Sequence, residues 1–201
     1  MKAARPAQAL ALPFARKGRD SSPCAPLRRF PAGWNSVGKI ELVPANPRWP
    51  EFYRRAAGEL RAAIGQGPWI EHIGSTAAGL AAKPVLDVLI GVAEFDAVEA
   101  TASQLVHAGF KRGSAPSIPH SIFLEGRPDA ELPPVNAHIA VRGESVWNAL
   151  LQFRDRLRDD PQLAARYAAL KAQLAIDAGA DLDLYTEGKS SFIRDVLDPP
   201  K

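Results

Sequence analysis

The chain has 201 residues, 46% of them hydrophobic and 23% charged, a balance that suits one globular domain with a proper core. Its apolar runs are broken by Pro, Gly or charge well short of the ~20 residues that span a bilayer, which argues against an integral membrane protein. The net charge of +3 is unevenly placed: residues 1–36 hold seven Lys/Arg against one Asp, and residues 37–201 hold 18 against 21, so the body lacks the basic surplus of a domain that tracks nucleic acid.

Residues 1–36 combine five prolines with scattered basic side chains and no sustained apolar period, which predicts a disordered, basic, Pro-rich extension. The short run AQALALPFA is interrupted by Pro13, so an extension is preferred over a targeting segment. Cys24 is the only cysteine, which rules out an internal disulfide or a cysteine metal cage and fits a reducing cytoplasm. The folded domain is expected over residues 37–197.

Residues 38–44 alternate well enough for a short strand or an extended arm. Asn46 offers an N-cap and Pro47 a first helical residue for a helix to about 64, with Trp49, Phe52, Ala56, Leu60 and Ile64 on one stripe. A strand at 69–73, a Gly-containing loop and a strand at 85–92 follow. A helix over 96–108 stops at Gly109. Strands are predicted at 120–125 and 135–142, joined through a GRPD turn at 126–129; Pro133 and Pro134 delay the second. Val135, Ala137, Ile139 and Val141 would face the core, and Asn136, His138, Ala140 and Arg142 the opposite side. The remainder is helical. Val146, Leu150, Phe153 and Leu157 mark a helix over 145–158. Asp160 and Pro161 restart one with the stripe Leu163, Tyr167, Leu170 and Leu174, ended by Gly179, and a last helix covers 184–197. The layout is α/β (α+β): a mixed sheet flanked by helices, with a helical C-terminal third.

Alternation along residues 85–92 puts Val85, Asp87, Leu89 and Gly91 on one face and Leu86, Val88, Ile90 and Val92 on the other. Asp87 is the only charge on that strand, and its ionised form is disfavoured unless a metal, a cation or several donors stand beside it. Ahead of it, the backbone amides around 74–78 and the hydroxyls of Ser75 and Thr76 suit a phosphate, or else simply turn the chain. Glu71 and His72 occupy opposite faces of their strand, so at most one points into the same cleft as Asp87. Glu71 would add a carboxylate there or be an exposed partner for an Arg, and His72 and His138 would be metal ligands, proton carriers or structural residues. Lys83 either neutralises Asp87 or joins it at a phosphate. Tyr167 and Lys171 are four apart, as are Tyr185 and Lys189, so each pair shares a helix face; with Arg154 they would form an anion-binding wall opposite Ser75.

The segment EHIGSTAAGLAAKPVLD (71–87), followed by FRDRLRDDPQLAARYAALKAQLA (153–175) and YTEGKSSFI (185–193), resembles the GrpB family, whose fold is nucleotidyltransferase-like. The resemblance implies that Gly74 and Ser75 form a phosphate turn and that Asp87 is the first of the acids that hold Mg²⁺. At the position of the second acid this chain has Leu89, which cannot ligate Mg²⁺. Two further departures are Ala78 before Gly79, where the family carries Val-Pro, and Ala140, where it carries a second His. The implied function is an enzyme moving a nucleotidyl or phosphoryl group. In it Asp87 and Ser75 would be catalytic, Gly74, Ser75, Thr76, Lys83, Lys171, Tyr185 and Lys189 would lie on the phosphates, and Glu71 or His138 would join Asp87 on the metal. The alternative is a catalytically silent module that binds a nucleotide or phosphorylated small molecule. GrpB-like domains also occur joined to dephospho-CoA kinase, which points that alternative toward coenzyme A metabolism.

Overall fold

Trp49, Phe52, Ala56, Leu60 and Ile64 recur at the helical period, and all five are buried along one side of α1 (Trp49–Ile64). The computed structural model describes residues 39–113, 121–127 and 129–198, so the extension expected over 1–36 lies outside the described residues. The helix starts later than its sequence predicts. Asn46 Oδ1 accepts from the Arg48 amide at 2.9 Å, which makes a side-chain turn before the helix, and Arg48 takes the capping position.

Five strands form one mixed sheet: β1 (Trp69–Ile73), β2 (Leu86–Val92), β3 (Lys111–Arg112), β4 (Ser121–Gly126) and β5 (Val135–Val141). Their order is β1-β2-β5-β4-β3, with β2 and β5 parallel and the other pairs antiparallel. A four-residue turn of helix, α2 (Gly74–Ala77), follows β1, and α3 (Asp96–His107) follows β2. The alternation expected of β2 is present. Leu86, Val88, Ile90 and Val92 pack with Val135, Ala137 and Ile139 of β5 beneath α1 and α3, forming the main core. Of the two forms expected for 38–44, the described residues from 39 take the extended arm, tied by reciprocal Val43 and Ala82 backbone bonds and by the Ile40 amide to Gly179 O.

On the opposite face, Ile73, Leu89 and Ala140 pack beneath Trp147 of α4 (Ser145–Asp159). Trp147 crosses Gly91, where a Cβ would come within 2.4 Å of its ring, so glycine is what lets the helix dock there. Asp160 caps α5 (Pro161–Ala178), accepting from the amides of Gln162 and Leu163. The α5 stripe is rotated from the expected one: Leu163, Tyr167, Lys171, Ala175 and Ala178 are buried, while Leu170 and Leu174 lie partly exposed at its edge. A lysine therefore occupies a core position. The single helix expected over 184–197 is two, α6 (Leu182–Glu187) and α7 (Ser190–Leu197). They part at Gly188, whose Cα lies so close to Leu174 that a Cβ would come within 2.4 Å of it. Among the described residues no helix is long and apolar enough to cross a membrane.

Two glycine substitutions test this packing in opposite directions. Gly91→Ala must displace the Trp147 ring and is expected to destabilise by about 1–3 kcal/mol. Gly58→Ala, on an open part of α1 with nothing within 4 Å, is expected to stabilise by about 0.5–1 kcal/mol. Urea unfolding measures both, and wild-type stability in Gly91→Ala would contradict the docking of Trp147.

Candidate functional site

Strand register lines up a row of polar groups on the sheet face that α4 leaves open. Ile73 pairs with Asp87, Asp87 with Asn136, and Asn136 with Glu125, so the end of β1, where the loop begins, stands directly beside Asp87. Gly74 turns there with φ +72°, and a Cβ on it would lie 2.4 Å from Asp87 Oδ2. Both the left-handed backbone and the close approach demand glycine. Asn136 Nδ2 donates to Asp87 Oδ1 at 2.9 Å.

The two hydroxyls of the loop diverge. Ser75 lines a cavity of about 250 Å³ between the sheet and α5–α6. Thr76 is buried, with its Oγ1 3.0 Å from His72 Nε2, so it is not brought to that cavity. His72 stacks on Tyr53 at 4.7 Å, and burial pushes its pKa down to about 4 against the opposing pull of Asp87, leaving a neutral ring.

Three ammonium groups share the cavity with Asp87. Lys171, only 2% exposed, donates to Ser75 Oγ at 2.8 Å and also to the Ala81 carbonyl. Lys189 lies 4.3 Å and Lys83 5.9 Å from the centre of the Tyr185 ring, and Lys171 lies 4.9 Å from that of Tyr167. Both i, i+4 Tyr–Lys pairs predicted from sequence thus exist as contacts. Burial, then the charge of Lys189, brings Lys171 down to about 8, and Asp87 opposes this. Burial, then Lys83, does the same to Lys189, again to about 8. Lys83 is lowered by burial, with Asp87 and then Glu125 opposing. Asp87 is the one carboxylate that acts on all three; Asp183 lines the rim from the exposed first turn of α6. Burial, then Asp87, pushes Tyr185 up to about 12, and burial also raises Tyr167, so both phenols stay protonated.

Other predicted residues lie elsewhere or in other company. Glu71 Oε2 accepts from Arg154 at 2.9 Å, and Arg154 also donates to His72 O and Asp155. This pair braces α4 on β1 outside the cavity lining, so neither the Glu71 carboxylate nor the Arg154 cation is brought to Asp87. His138 lines the cavity floor against Phe123 at 4.9 Å; burial lowers its pKa, with Asp87 opposing. Leu89 is sealed under Trp147. The residues therefore fit a protein-held Mg²⁺ poorly. Asp87 already accepts an amide, faces three ammonium groups and has no second carboxylate beside it, whereas Mg²⁺ requires an octahedron of oxygens. Among the described residues no group of three His, Cys, Asp or Glu side chains is placed to hold a metal. Phe123 and Asp183 line the cavity without any motif to announce them, although the alternation of β4 puts Phe123 on the face of Glu125; Thr186 lines it from within the YTEGKSSFI segment, where the Tyr–Lys spacing gives it no role.

The family described as GrpB protein matches residues 39–199. A UPF0157 protein of Deinococcus radiodurans is 37% identical over 161 residues, covering 79% of this chain and 81% of that one. A dephospho-CoA kinase of Mycolicibacterium paratuberculosis is 29% identical over 186 residues, covering 78% of this chain and 44% of that one. Among solved structures, conserved protein GrpB from Enterococcus faecalis matches with a TM-score of 0.66 at 28% identity, over 78% of this chain and 94% of that one. Cid1, an RNA terminal uridylyl transferase, matches at 0.45 and 16% identity, over 65% and 39%, a likeness too slight to carry function. By its matched span and its relatives, the chain belongs to the GrpB family.

Proposed function

We propose that the cavity binds the phosphate groups of a nucleotide or phosphorylated small molecule through its lysines, without a divalent metal held by the protein. The observation that supports this is the convergence of Lys83, Lys171 and Lys189 on the single shared carboxylate of Asp87. Burial, then Lys189 acting on Lys171 and Lys83 acting on Lys189, outweigh Asp87 and hold both amines near 8, so each ammonium is under-compensated. A phosphate dianion supplies the missing negative charge and accepts charge-assisted hydrogen bonds. Ser75 adds a hydroxyl and Tyr185 a protonated phenol, while Asp87 keeps the lysines turned inward.

The enzymatic alternative is transfer of a nucleotidyl or phosphoryl group, with Mg²⁺ arriving on the substrate's own phosphates. Asp87, which reaches the cavity beside Gly74, is the feature that favours it. The likeness to part of a dephospho-CoA kinase brings coenzyme A precursors into the ligand class. In this reading residues 37–197 are the acting unit, and it works in the cytoplasm, where phosphorylated metabolites are held.

The lysines make stability depend on pH. Between about pH 8 and pH 10 the unfolded chain still carries protons that folded Lys171 and Lys189 have released, so stability should rise with pH across that window. Above about pH 10 the trend reverses, because unfolded tyrosines ionise while Tyr185 keeps its proton to about 12. Urea unfolding in phosphate-free buffer should show the rise in the wild type and a flatter profile in Lys189→Met.

Calorimetry with inorganic pyrophosphate and with ADP tests the binding itself. Binding is expected without Mg²⁺, to weaken as pH climbs past about 8, and to fall about 10–100-fold in Lys189→Met. Asp87→Asn should bind at least as well as the wild type. Binding that needs Mg²⁺ and disappears in Asp87→Asn would favour the transferase alternative, and no binding of either compound at neutral pH would overturn the reading.

A further inference from the structure

Lys171 lies inside the protein at 2% exposure, and its Nζ meets the Ser75 hydroxyl at 2.8 Å on the cavity wall. A serine oxygen is a weak nucleophile until a base within hydrogen-bond reach removes its proton, and buried lysines fill that role where an amine is kept partly neutral. We propose that Ser75 and Lys171 form a nucleophile and base pair, and that Ser75 Oγ takes up the phosphoryl group of the ligand held in the cavity. This rests on the phosphate-binding reading and adds a covalent step to it.

The geometry supports each part of that step. Gly74, in its left-handed turn, presents Ser75 to the cavity, and Lys171 approaches from α5 on the far side. The groups that act on the Lys171 amine are Lys189, from the junction of α6 and α7, and Asp87, from β2; the Tyr167 ring lies alongside on α5. Burial and Lys189 outweigh Asp87, so a sizeable fraction of the amine is neutral near pH 8. Ser75 Oγ attacks phosphorus, the bond from phosphorus to the leaving oxygen breaks, and the serine proton passes to Lys171 Nζ. Lys171 then returns that proton to the leaving oxygen. Water or an acceptor hydroxyl then attacks the phosphoserine phosphorus and gives its proton to Lys171, the bond from phosphorus to Ser75 Oγ breaks, and Lys171 passes the proton to that oxygen to restore the hydroxyl. Lys83 and Lys189 face the same space and neutralise the charge on the transferring oxygens. No second carboxylate is called for, which accords with Leu89 lying sealed beneath Trp147.

A purely structural Lys171 would stay protonated, donating to Ser75 Oγ and Ala81 O. The two roles separate on a readout that needs no knowledge of the natural ligand. The full chain is treated with a fluorophosphonate, which phosphonylates activated serines, and the modified residue is located by peptide mass spectrometry. Modification at Ser75 is expected, at a rate that climbs with pH about a midpoint near 8. Ser75→Ala should abolish it, and Lys171→Met should slow it about 100-fold or more. Lys171→Arg keeps the charge, gives up the base and should be as slow as Lys171→Met. The wild-type pH profile stands even if a variant fails to fold. An unmodified Ser75 across about pH 6 to 9.5, in protein that still binds pyrophosphate, overturns the pair and leaves phosphate binding intact. A rate that is flat with pH, or undiminished in Lys171→Arg, overturns it as well. Failure to bind pyrophosphate at all removes both readings.

Discussion

The site depends on one buried ammonium group. Lys171 occupies a position on α5 that the helical period assigns to the core, and it lies there with 2% exposure between Ser75 Oγ and the Ala81 carbonyl. A charge taken so far from water is costly unless its donors are met, and two oxygens from one loop meet them. The contact joins residues 96 positions apart and ties the helical third of the chain to the turn that follows β1. With the Tyr167 hydroxyl, which also bonds Ser75, it holds that loop against α5, and the space between them is the cavity.

The two faces of β2 explain why Asp87 is the one carboxylate that β1 and β2 bring to the cavity. One face is spent wholly on the main core. The other is divided along its length: Leu89 and Gly91 lie under Trp147, and only Asp87, at the loop end, remains open to the cavity. Glu71, one step further along β1, falls on the side covered by α4 and is bound to Arg154. The covering helix thus removes the neighbouring positions on β1 and β2, and the other carboxylates of the cavity, Glu125 and Asp183, come from β4 and α6. The charge that balances Asp87 comes from lysines on the surrounding elements, and a cluster of ammonium groups is a receptor for anions.

Much of this was legible in the sequence wherever one element determines its own pattern. The β2 alternation, the α1 stripe, the glycine turn before Ser75 and the Tyr–Lys spacings of residues 167/171 and 185/189 are local properties, and each is present in the structure. What was not legible depends on contacts between distant elements. Thr76 was grouped with Ser75, but consecutive residues on a helical turn diverge, and Thr76 meets His72 behind the sheet. The α5 stripe was drawn through Leu170 and Leu174 because they are apolar. The structure places Lys171 inside because the loop offers it oxygens, and a one-residue rotation of the stripe follows. At Gly188, where the helix is divided, Leu174 of another helix leaves no room for a Cβ, a contact that no pattern within 184–197 could reveal. For Glu71 the sequence leaves a carboxylate in the cleft and a partner for an Arg both open, and the choice is made by Arg154, 83 residues away.

Lysine and metal are two different solutions to the same electrostatic demand, and the difference has consequences for how such a site behaves. A metal held by carboxylates keeps its charge at any pH near neutrality, whereas ammonium groups brought near 8 by burial and by one another carry a charge that depends on pH and on what else is bound. An anion entering the cavity favours the protonated lysines, so binding and proton uptake are linked. Lys171 differs from the other two in meeting Ser75 Oγ, so in the proposed transfer it is the one that must be neutral with the anion in place, while Lys83 and Lys189 hold the charge.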